Sequence, residues 1–245
     1  MSGVSPRVRR ALLLRSFAVQ GSWNYRTLIG TGFAFVLLPA LRAAHAGDEA
    51  GLRRALARHA ELFNSHPYLA TVAAGAVARL EAEGAAPELV GRFKSALRGS
   101  LGSLGDRLVW LTWRPACALL GVCLLLAGAP WWAAAGVFLL AYNALHLWLR
   151  AWALDVGLRD GLQVGRALRE SPLERLGERA AGAGALLAGF GAVLAFGGAG
   201  ARGTDQLLGP AALAAGILLG FRTRRVAFAL LAATLAAGAL YLRTR

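Results

Sequence analysis

The stretch Arg58-His59-Ala60-Glu61-Leu62-Phe63-Asn64-Ser65-His66-Pro67-Tyr68 is the densest group of hydrogen-bonding side chains in a chain otherwise rich in Ala, Leu and Gly. Pro67 has a fixed φ and no amide hydrogen, so it suits the first turn of a helix. It also disfavours the helical region for the residue before it. We therefore predict that one helix ends near residues 64–66 and that the next helix begins at Pro67.

This junction has two interpretations. Asn64, Ser65 and His66 would lie at a helix N-terminus, where free amide groups and the helix dipole favour a hydroxylated or anionic ligand. Alternatively, Ser65 only caps the following helix, and on local grounds capping is the more favourable interpretation.

The composition is that of a membrane protein. Hydrophobic residues make up 57% and charged residues 16% of the 245 residues, against roughly 25% charged in soluble domains. The net charge of +14 does not indicate nucleic-acid binding, because nearly all of it is arginine lying between apolar runs, with Lys94 the only lysine. We expect one membrane unit over residues 1–245, in contact with the lipid bilayer and not with nucleic acid.

Catalytic and metal chemistry find little support. Cys117 and Cys123 are six residues apart in an apolar run and would not face each other on a helix, so we predict no disulfide. No cysteine and histidine set has metal-ligand spacing, and carboxylates near apolar segments, such as Asp106, are isolated. The sequence predicts no metal, no cofactor and no catalytic residue.

The N-terminal part is amphipathic with short apolar segments. Residues 11–29 are predicted to form an amphipathic or interfacial helix, and residues 42–62 a solvated cytoplasmic helix. The apolar segments 30–41, closed by Pro39, and 68–80 are too short to cross a hydrocarbon core of about 30 Å. They are therefore predicted to be re-entrant or buried in protein.

A glycine-rich segment follows. Gly99, Gly102 and Gly105 recur at every third position, and Asp106 is a natural N-cap for an apolar helix from Leu108. Helix packing and a functional hinge explain this spacing equally well.

The remaining apolar runs are longer. We predict a helical hairpin at 115–149, a cytoplasmic loop at 150–179, and membrane helices within 180–242, at 180–200, 207–221 and 226–242. The predicted fold is an all-α integral membrane protein with an amphipathic N-terminal helix, short re-entrant helical hairpins and about five further membrane helices. The distribution of arginine places the N-terminus in the cytoplasm.

The chain resembles subunit IID of the mannose/fructose/sorbose family of bacterial phosphotransferase systems. The likeness runs from about residue 10 to residue 160 and is only hydropathic beyond, with its motifs concentrated in 10–115. The matching segments are Arg15-Ser16-Phe17, Gln20-Gly21-Ser22-Trp23-Asn24-Tyr25, Gly32-Phe33, Leu38-Pro39, His59, Phe63-Asn64-Ser65-His66-Pro67-Tyr68, the glycine-rich 99–106, and Arg114-Pro115.

This resemblance implies a multi-pass subunit of the bacterial cytoplasmic (inner) membrane. Such a subunit pairs with a IIC membrane subunit in a hetero-oligomer that carries a hexose: mannose, fructose, sorbose or an amino sugar. Cytosolic IIA and IIB domains phosphorylate the sugar, and IID is not itself catalytic.

The resemblance also implies roles for residues. The substrate or subunit-interface positions would be Trp23, Asn24, Tyr25, Asn64, His66 and Pro67. A hinge for a mobile core would include Gly99, Gly102, Gly105 and Asp106.

Two positions depart from the family pattern. The family usually has Gly-Pro and Asp-Ser where this chain reads Gly99-Ser100 and Asp106-Arg107. A divergent, non-transporting scaffold or signalling subunit is therefore the alternative hypothesis.

Overall fold

The computed structural model describes residues 3–196 and 205–220. Within them the regular structure is helical, and β-structure is limited to two isolated bridges. They divide into two compact units. The first contains the described residues up to Asp106 together with Leu145–Ser171, and the second contains Arg107–Ala144 with the described residues from Pro172 onward. The predicted all-α class is confirmed.

The helices follow one another with short connections. In chain order they are α1 Pro6–Ser16, α2 Gly30–Ala44, α3 Glu49–Ala60, α4 Ala70–Ala82, α5 Pro87–Gly105, a π-helical segment Asp106–Trp113, α6 Arg114–Leu126, α7 Trp131–Asp160, a 3₁₀ turn Gly161–Gln163, α8 Val164–Glu170, α9 Leu173–Phe196 and α10 Asp205–Gly220.

Among the described residues, two helical runs are long and apolar enough to cross a membrane. Pro87–Leu126 has 40 residues and Trp131–Ala195 has 65, whereas the apolar α2 has only 15. These runs support a membrane location. The re-entrant hairpins and the number of further membrane helices stay predictions, and the helix expected at 226–242 lies outside the described residues.

Helix α4 is the buried centre of the first unit. Eleven of its 13 residues are buried, and it contacts α1, α2 and α5. Glycines let α4 and α7 approach closely, because a Cβ at Gly75 would lie 2.4 Å from the Leu154 carbonyl oxygen, and one at Gly157 would lie 2.2 Å from the Val72 carbonyl oxygen. These close approaches position the segment that leads into α4, where the motif residues lie.

The N-terminal segment departs from prediction. The helix expected over residues 11–29 is wrong beyond Ser16, because residues 17–22 and 25–27 form turns and Asn24 pairs with Leu28 in an antiparallel bridge. The side chain of Asn24 bonds to nearby backbone groups and offers the chain an alternative to a helix.

Pro39 does not close α2, which continues to Ala44. A proline inside a helix removes the bond to the carbonyl four residues earlier, which is that of Phe35. Arg15 supplies the missing donor, with its guanidinium 3.2 Å from the Phe35 carbonyl oxygen and 4.5 Å from the ring centre of Phe35. The proline is therefore accommodated by a side chain distant in sequence.

Two further predictions need correction. Asp106 does not start a new helix, because α5 continues without a break into the π-helical segment. The segment 150–179 is mostly helical, since α7 reaches Asp160, α8 occupies Val164–Glu170 and α9 begins at Leu173. Charged residues there alternate with apolar ones and do not interrupt the helices.

In the second unit, α9 packs against α6 and α10. Three glycines of α9, spaced seven residues apart, face the π-helical segment and α6. Gly177 is next to Leu108, Gly184 next to Ala116 and Gly191 next to Cys123. Cys117 and Cys123 are both buried and free.

Candidate functional site

The two motif segments meet in the first unit. The amide of Ile29 donates to the Phe63 carbonyl oxygen at 3.0 Å, and the amide of Phe63 donates to the Thr27 carbonyl oxygen at 3.2 Å. Leu28 lies between these bonds in a parallel bridge to Phe63. Residues that are far apart in sequence are thus held side by side through their backbones.

Asn24 organises the first segment. Its side-chain oxygen accepts hydrogen bonds from the amides of Arg26 and Thr27 at 3.0 and 2.9 Å. Its side-chain nitrogen donates to the Ser22 carbonyl oxygen at 3.1 Å and to the Thr27 hydroxyl at 2.8 Å. Both donors and both acceptor sites of the amide group are therefore used within the turn.

The turn carries backbone strain and an exposed aromatic pair. Leu28 has φ of 53°, in the left-handed region that non-glycine residues seldom adopt. The rings of Trp23 and Tyr25 meet edge to face at 4.8 Å, and 90% of Tyr25 is exposed.

The second segment begins in the core. Phe63 is fully buried, with its ring 4.4 Å from that of Phe33. A Cβ at Gly30 would lie 2.1 Å from the Glu61 carbonyl oxygen, so only glycine fits the start of α2 beside this segment. The extended residues after α3 are therefore fixed by packing as well as by hydrogen bonds.

A break between two helices before Pro67 is confirmed, but α3 ends at Ala60, earlier than the predicted residues 64–66, and the next helix begins later than Pro67. Residues 67–69 form a turn, and α4 begins at Ala70. The amides of Leu69 and Ala70 donate to the His66 carbonyl oxygen at 3.0 and 2.9 Å.

Ser65 does not cap α4. Its hydroxyl donates to the His66 carbonyl oxygen at 3.3 Å, and no side chain caps the first turn of that helix. Nδ1 of His66 instead accepts a hydrogen bond from the amide of Tyr68 at 3.3 Å. Asn64 is exposed, whereas Ser65, His66 and Pro67 are buried.

A polar and aromatic group surrounds the buried His66; we name it the Arg150 cluster. It comprises Ser16, Phe17, His66, Tyr68, His146 and Arg150. The ring of Tyr68 stacks on that of His146 at 4.1 Å and meets His66 edge to face at 4.8 Å.

Arg150 ties this cluster together. It donates to Nε2 of His146 at 2.8 Å and to the Ser16 carbonyl oxygen at 2.5 Å, while its guanidinium lies over Phe17 and Tyr68. Burial, followed by the charges of Arg150 and His146, lowers the pKa of His66 to about 4. His66 is therefore neutral at neutral pH.

The sequence interpretation missed His146 and Arg150. Their signal was present, because two ionisable residues four apart in the apolar part of α7 lie on one face of the helix, and such residues in apolar helices are candidates for a functional position. Arg150 was instead assigned to the start of a loop.

A second polar group surrounds Glu81, near the end of α4. Its carboxylate is bound by Arg58 at 2.5 Å, His59 at 2.8 Å and His45 at 3.4 Å. Burial raises the pKa of Glu81, but hydrogen bonds from His59 and Arg58, together with their charges, outweigh burial and lower it to about 2. Burial lowers the pKa of His59. Glu81 thus holds the end of α3 in place.

The three predicted hinge glycines differ. A Cβ at Gly99 or Gly102 would meet open space, whereas one at Gly105 would lie 2.2 Å from Cβ of His66. Close packing is therefore shown for Gly105, which lies directly before the exposed Asp106 and the π-helical segment. Among the described residues, no group of three or more His, Cys, Asp or Glu could hold a metal ion.

Known proteins share both sequence and structure with this chain. A family model described as PTS system mannose/fructose/sorbose family IID component matches residues 4–192. The mannose-specific EIID component of Escherichia coli K12 is 30% identical over 176 residues, covering 70% of this chain and 62% of that protein. The fructose permease IID component of Bacillus subtilis is 30% identical over 175 residues, covering 69% of this chain and 62% of that protein.

A solved structure of a mannose transporter contains a chain that is similar to this one in fold and sequence. A chain in the cryo-EM structure of the mannose transporter ManYZ with microcin E492 is 30% identical, with a TM-score of 0.60 over 78% of this chain and 70% of that one. This chain matches about 62% of the length of these curated relatives. On the extent of the family match and of the likeness to these relatives, the chain belongs to the IID component family of the mannose/fructose/sorbose phosphotransferase system.

Proposed function

We propose that this chain is the IID subunit of a sugar permease that pairs with a IIC membrane subunit and carries a hexose into the cell. Cytosolic IIA and IIB domains would phosphorylate the sugar during uptake, and IID itself would carry no catalytic group. The observation that carries the proposal is the backbone pairing of the turn at Leu28 with Phe63, which joins the two segments most typical of the family.

The site residues divide by exposure. Asn64 and the rings of Trp23 and Tyr25 are exposed, so they are the groups that would meet the sugar or the IIC subunit. Amide groups and aromatic rings suit sugar recognition, because sugar hydroxyls need both donors and acceptors. Asn24, His66 and Pro67 would support this surface from within.

Substitution of Asn64 tests the proposal. If its amide binds the sugar or the partner, Asn64→Ala and Asn64→Ser should both lose uptake, because Ser cannot supply two donors and an acceptor. Asn64 is exposed in this chain and would be buried by the bound sugar or partner; losing a polar partner buried in this way costs about 1–3 kcal/mol, which is about a five- to 150-fold loss of affinity. Asn64→Asp keeps the shape but lacks the donors, and it should fail similarly.

The measurement is uptake of radiolabelled hexose by cells that also contain matching IIC, IIA and IIB subunits, with membrane levels of each variant quantified. Normal uptake by Asn64→Ser at parental expression would remove the binding role. It would leave Asn64 with a local structural role only.

The membrane arrangement is also a proposal. The protein would span the bacterial inner membrane several times, with a cytoplasmic N-terminus and residues 150–179 on the cytoplasmic side. A cysteine at Arg166, an exposed position on α8, should resist an impermeant reagent added to intact cells. Efficient labelling of that cysteine from outside the cell would contradict this orientation and support the opposite one.

A non-transporting scaffold is the second candidate. It is favoured by Asp106-Arg107, which stands in place of the family's Asp-Ser and is exposed at the start of the π-helical segment. Both candidates predict co-purification with a IIC subunit in mild detergent, but only the permease restores hexose uptake to cells that lack their own IID.

A further inference from the structure

A polar groove lies between the C-terminal end of α3 and the first half of α5, within the first unit. Its volume is about 390 Å³. Three cationic side chains line it, Arg58, Arg92 and Lys94, together with the carboxylate of Glu61 and the hydroxyl of Ser95. Leu62 is the one large apolar side chain among the residues that line it, so the groove is built for a polar ligand.

Lys94 is fixed in position by the end of α3. Its ammonium donates to the Arg58 carbonyl oxygen at 2.8 Å and to the His59 carbonyl oxygen at 3.5 Å, and the residue is 5% exposed. An ammonium has three donors, so one remains for a ligand after these two bonds. Lys94 is also the only lysine beside 26 arginines in the chain, 27 basic residues together.

Two buried nitrogen atoms of groove residues lack a partner in the part of the chain that the structure describes. They are Nε of Arg58 and Nδ1 of His59, and His59 is fully buried. Nε2 of His59 is 2.8 Å from the Glu81 carboxylate, so it carries the proton, which leaves Nδ1 of a neutral imidazole as an acceptor. Buried polar atoms without partners are rare and call for a ligand or water.

We propose that this groove binds a small phosphate monoester that also carries hydroxyl groups, a description that fits a hexose phosphate. The idea rests on the proposed function, whose product has that chemistry, but the groove is separate from the exposed residues assigned to sugar uptake. Guanidinium and ammonium groups form strong, charge-assisted hydrogen bonds with phosphate oxygens.

The remaining polar groups explain why the ligand carries hydroxyls. Glu61 would repel a bare phosphate, but its carboxylate can accept hydrogen bonds from hydroxyl groups, as can Nδ1 of His59. Ser95 can donate or accept. A ligand that combines phosphate with hydroxyls therefore matches both the cationic groups and the remaining acceptor groups of the groove.

The test is isothermal titration calorimetry on the full chain in mild detergent, co-purified with its membrane partner, at low ionic strength. Mannose 6-phosphate, inorganic phosphate and mannose are titrated separately. Mannose 6-phosphate should bind at least tenfold more tightly than inorganic phosphate. Arg92→Ala should weaken its binding about tenfold, because it removes a charge-assisted contact.

Arg98→Ala is the matched control, since Arg98 is exposed on the same helix but does not line the groove. It should leave the affinity within about twofold of the parent. Ser95→Ala, an exposed and mild change, should weaken the monoester several-fold more than inorganic phosphate.

Three results would overturn the proposal: no heat of binding from mannose 6-phosphate, equal losses in Arg92→Ala and Arg98→Ala, or mannose binding that also depends on Arg92. Equal affinity for mannose 6-phosphate and inorganic phosphate would overturn the part of the proposal that concerns hydroxyls. Uptake is measured separately. Absence of hexose uptake together with intact binding of mannose 6-phosphate would reject the permease function but leave the proposed binding site in the groove supported.

Discussion

Alanine substitution along α5 separates a packing role from a hinge role for Gly99, Gly102 and Gly105. All three lie inside a continuous helix, where alanine is ordinarily more stable than glycine by about 0.5–1 kcal/mol. A new Cβ at Gly99 or Gly102 meets open space. Gly99→Ala and Gly102→Ala should therefore stabilise the protein by about that amount.

Gly105→Ala should have the opposite effect. Its Cβ would lie 2.2 Å from Cβ and 2.3 Å from Cγ of His66, and both residues are buried. Cβ is next to the backbone and cannot rotate away, so either α5 or the segment before α4 must shift. Overpacking of this kind costs about 1–3 kcal/mol, which exceeds the helical gain and leaves a net loss of about 1–2 kcal/mol.

The assay is thermal unfolding in detergent alongside hexose uptake in cells. A change of 1 kcal/mol shifts Tm by about 2–4 °C in a chain of this size, so Gly105→Ala should lower Tm by about 2–8 °C. If the glycines act by packing, uptake should fall only in Gly105→Ala. Reduced uptake in all three variants, with Tm raised in Gly99→Ala and Gly102→Ala, would establish the hinge and refute the packing explanation.

Three other substitutions test local structure. Folding lowers the pKa of Glu81 from 4.5, so its contribution to the unfolding free energy is complete above about pH 4.5 and declines as the pH falls toward 2. Glu81→Gln should flatten that decline in denaturant titrations from pH 6 to pH 3, and an unchanged slope would contradict this. Leu28→Gly should be more stable than Leu28→Val, because φ of 53° is costly for a β-branched residue; the reverse order in chemical unfolding would count against strain. Arg15→Ala should lower the free energy of unfolding by about 1.5–3 kcal/mol, because it removes the donor to the Phe35 carbonyl. The loss should be smaller in a Pro39→Ala background, where the alanine amide restores the helical hydrogen bond. In a double-mutant cycle of the parent, the two single variants and the double variant, additive losses would disprove this pairing.

The sequence predicted the features that depend on short-range chemistry. The class followed from composition, and the break between α3 and α4 followed from the restrictions that Pro67 places on its neighbours. The close backbone approach expected of the glycines was confirmed at Gly105 but not at Gly99 or Gly102. Spacing alone could not distinguish these positions, because what a glycine faces depends on another helix or segment.

Two wrong predictions of helix ends, at residues 11–29 and at Pro39, share a cause that lies outside short-range chemistry. An amphipathic helix was predicted over residues 11–29, but beyond Ser16 the hydrogen bonds of the Asn24 side chain favour a turn. Pro39 was expected to end α2, and only the position of Arg15 in the folded chain lets the helix continue. In both places the outcome depends on which donor reaches a particular backbone group, and that information is not contained in periodicity.

Long-range donors to the backbone connect these corrections to the candidate site. Arg15 serves the Phe35 carbonyl, Arg150 serves that of Ser16 at the end of α1, and Lys94 serves those of Arg58 and His59 at the end of α3. Each places a fixed cation at a helix end or irregularity, where carbonyl groups have fewer helical partners; the Ser16 carbonyl oxygen also accepts from the amide of Val19 at 3.2 Å. A buried backbone group left without a partner costs about 1–3 kcal/mol, so a first unit built from short helices is stabilised by such donors. Arginine therefore has a structural role inside this unit, beside the role in sidedness that its distribution predicts. That is why Arg150, which belongs to the cluster around His66, was misread as part of a charged loop.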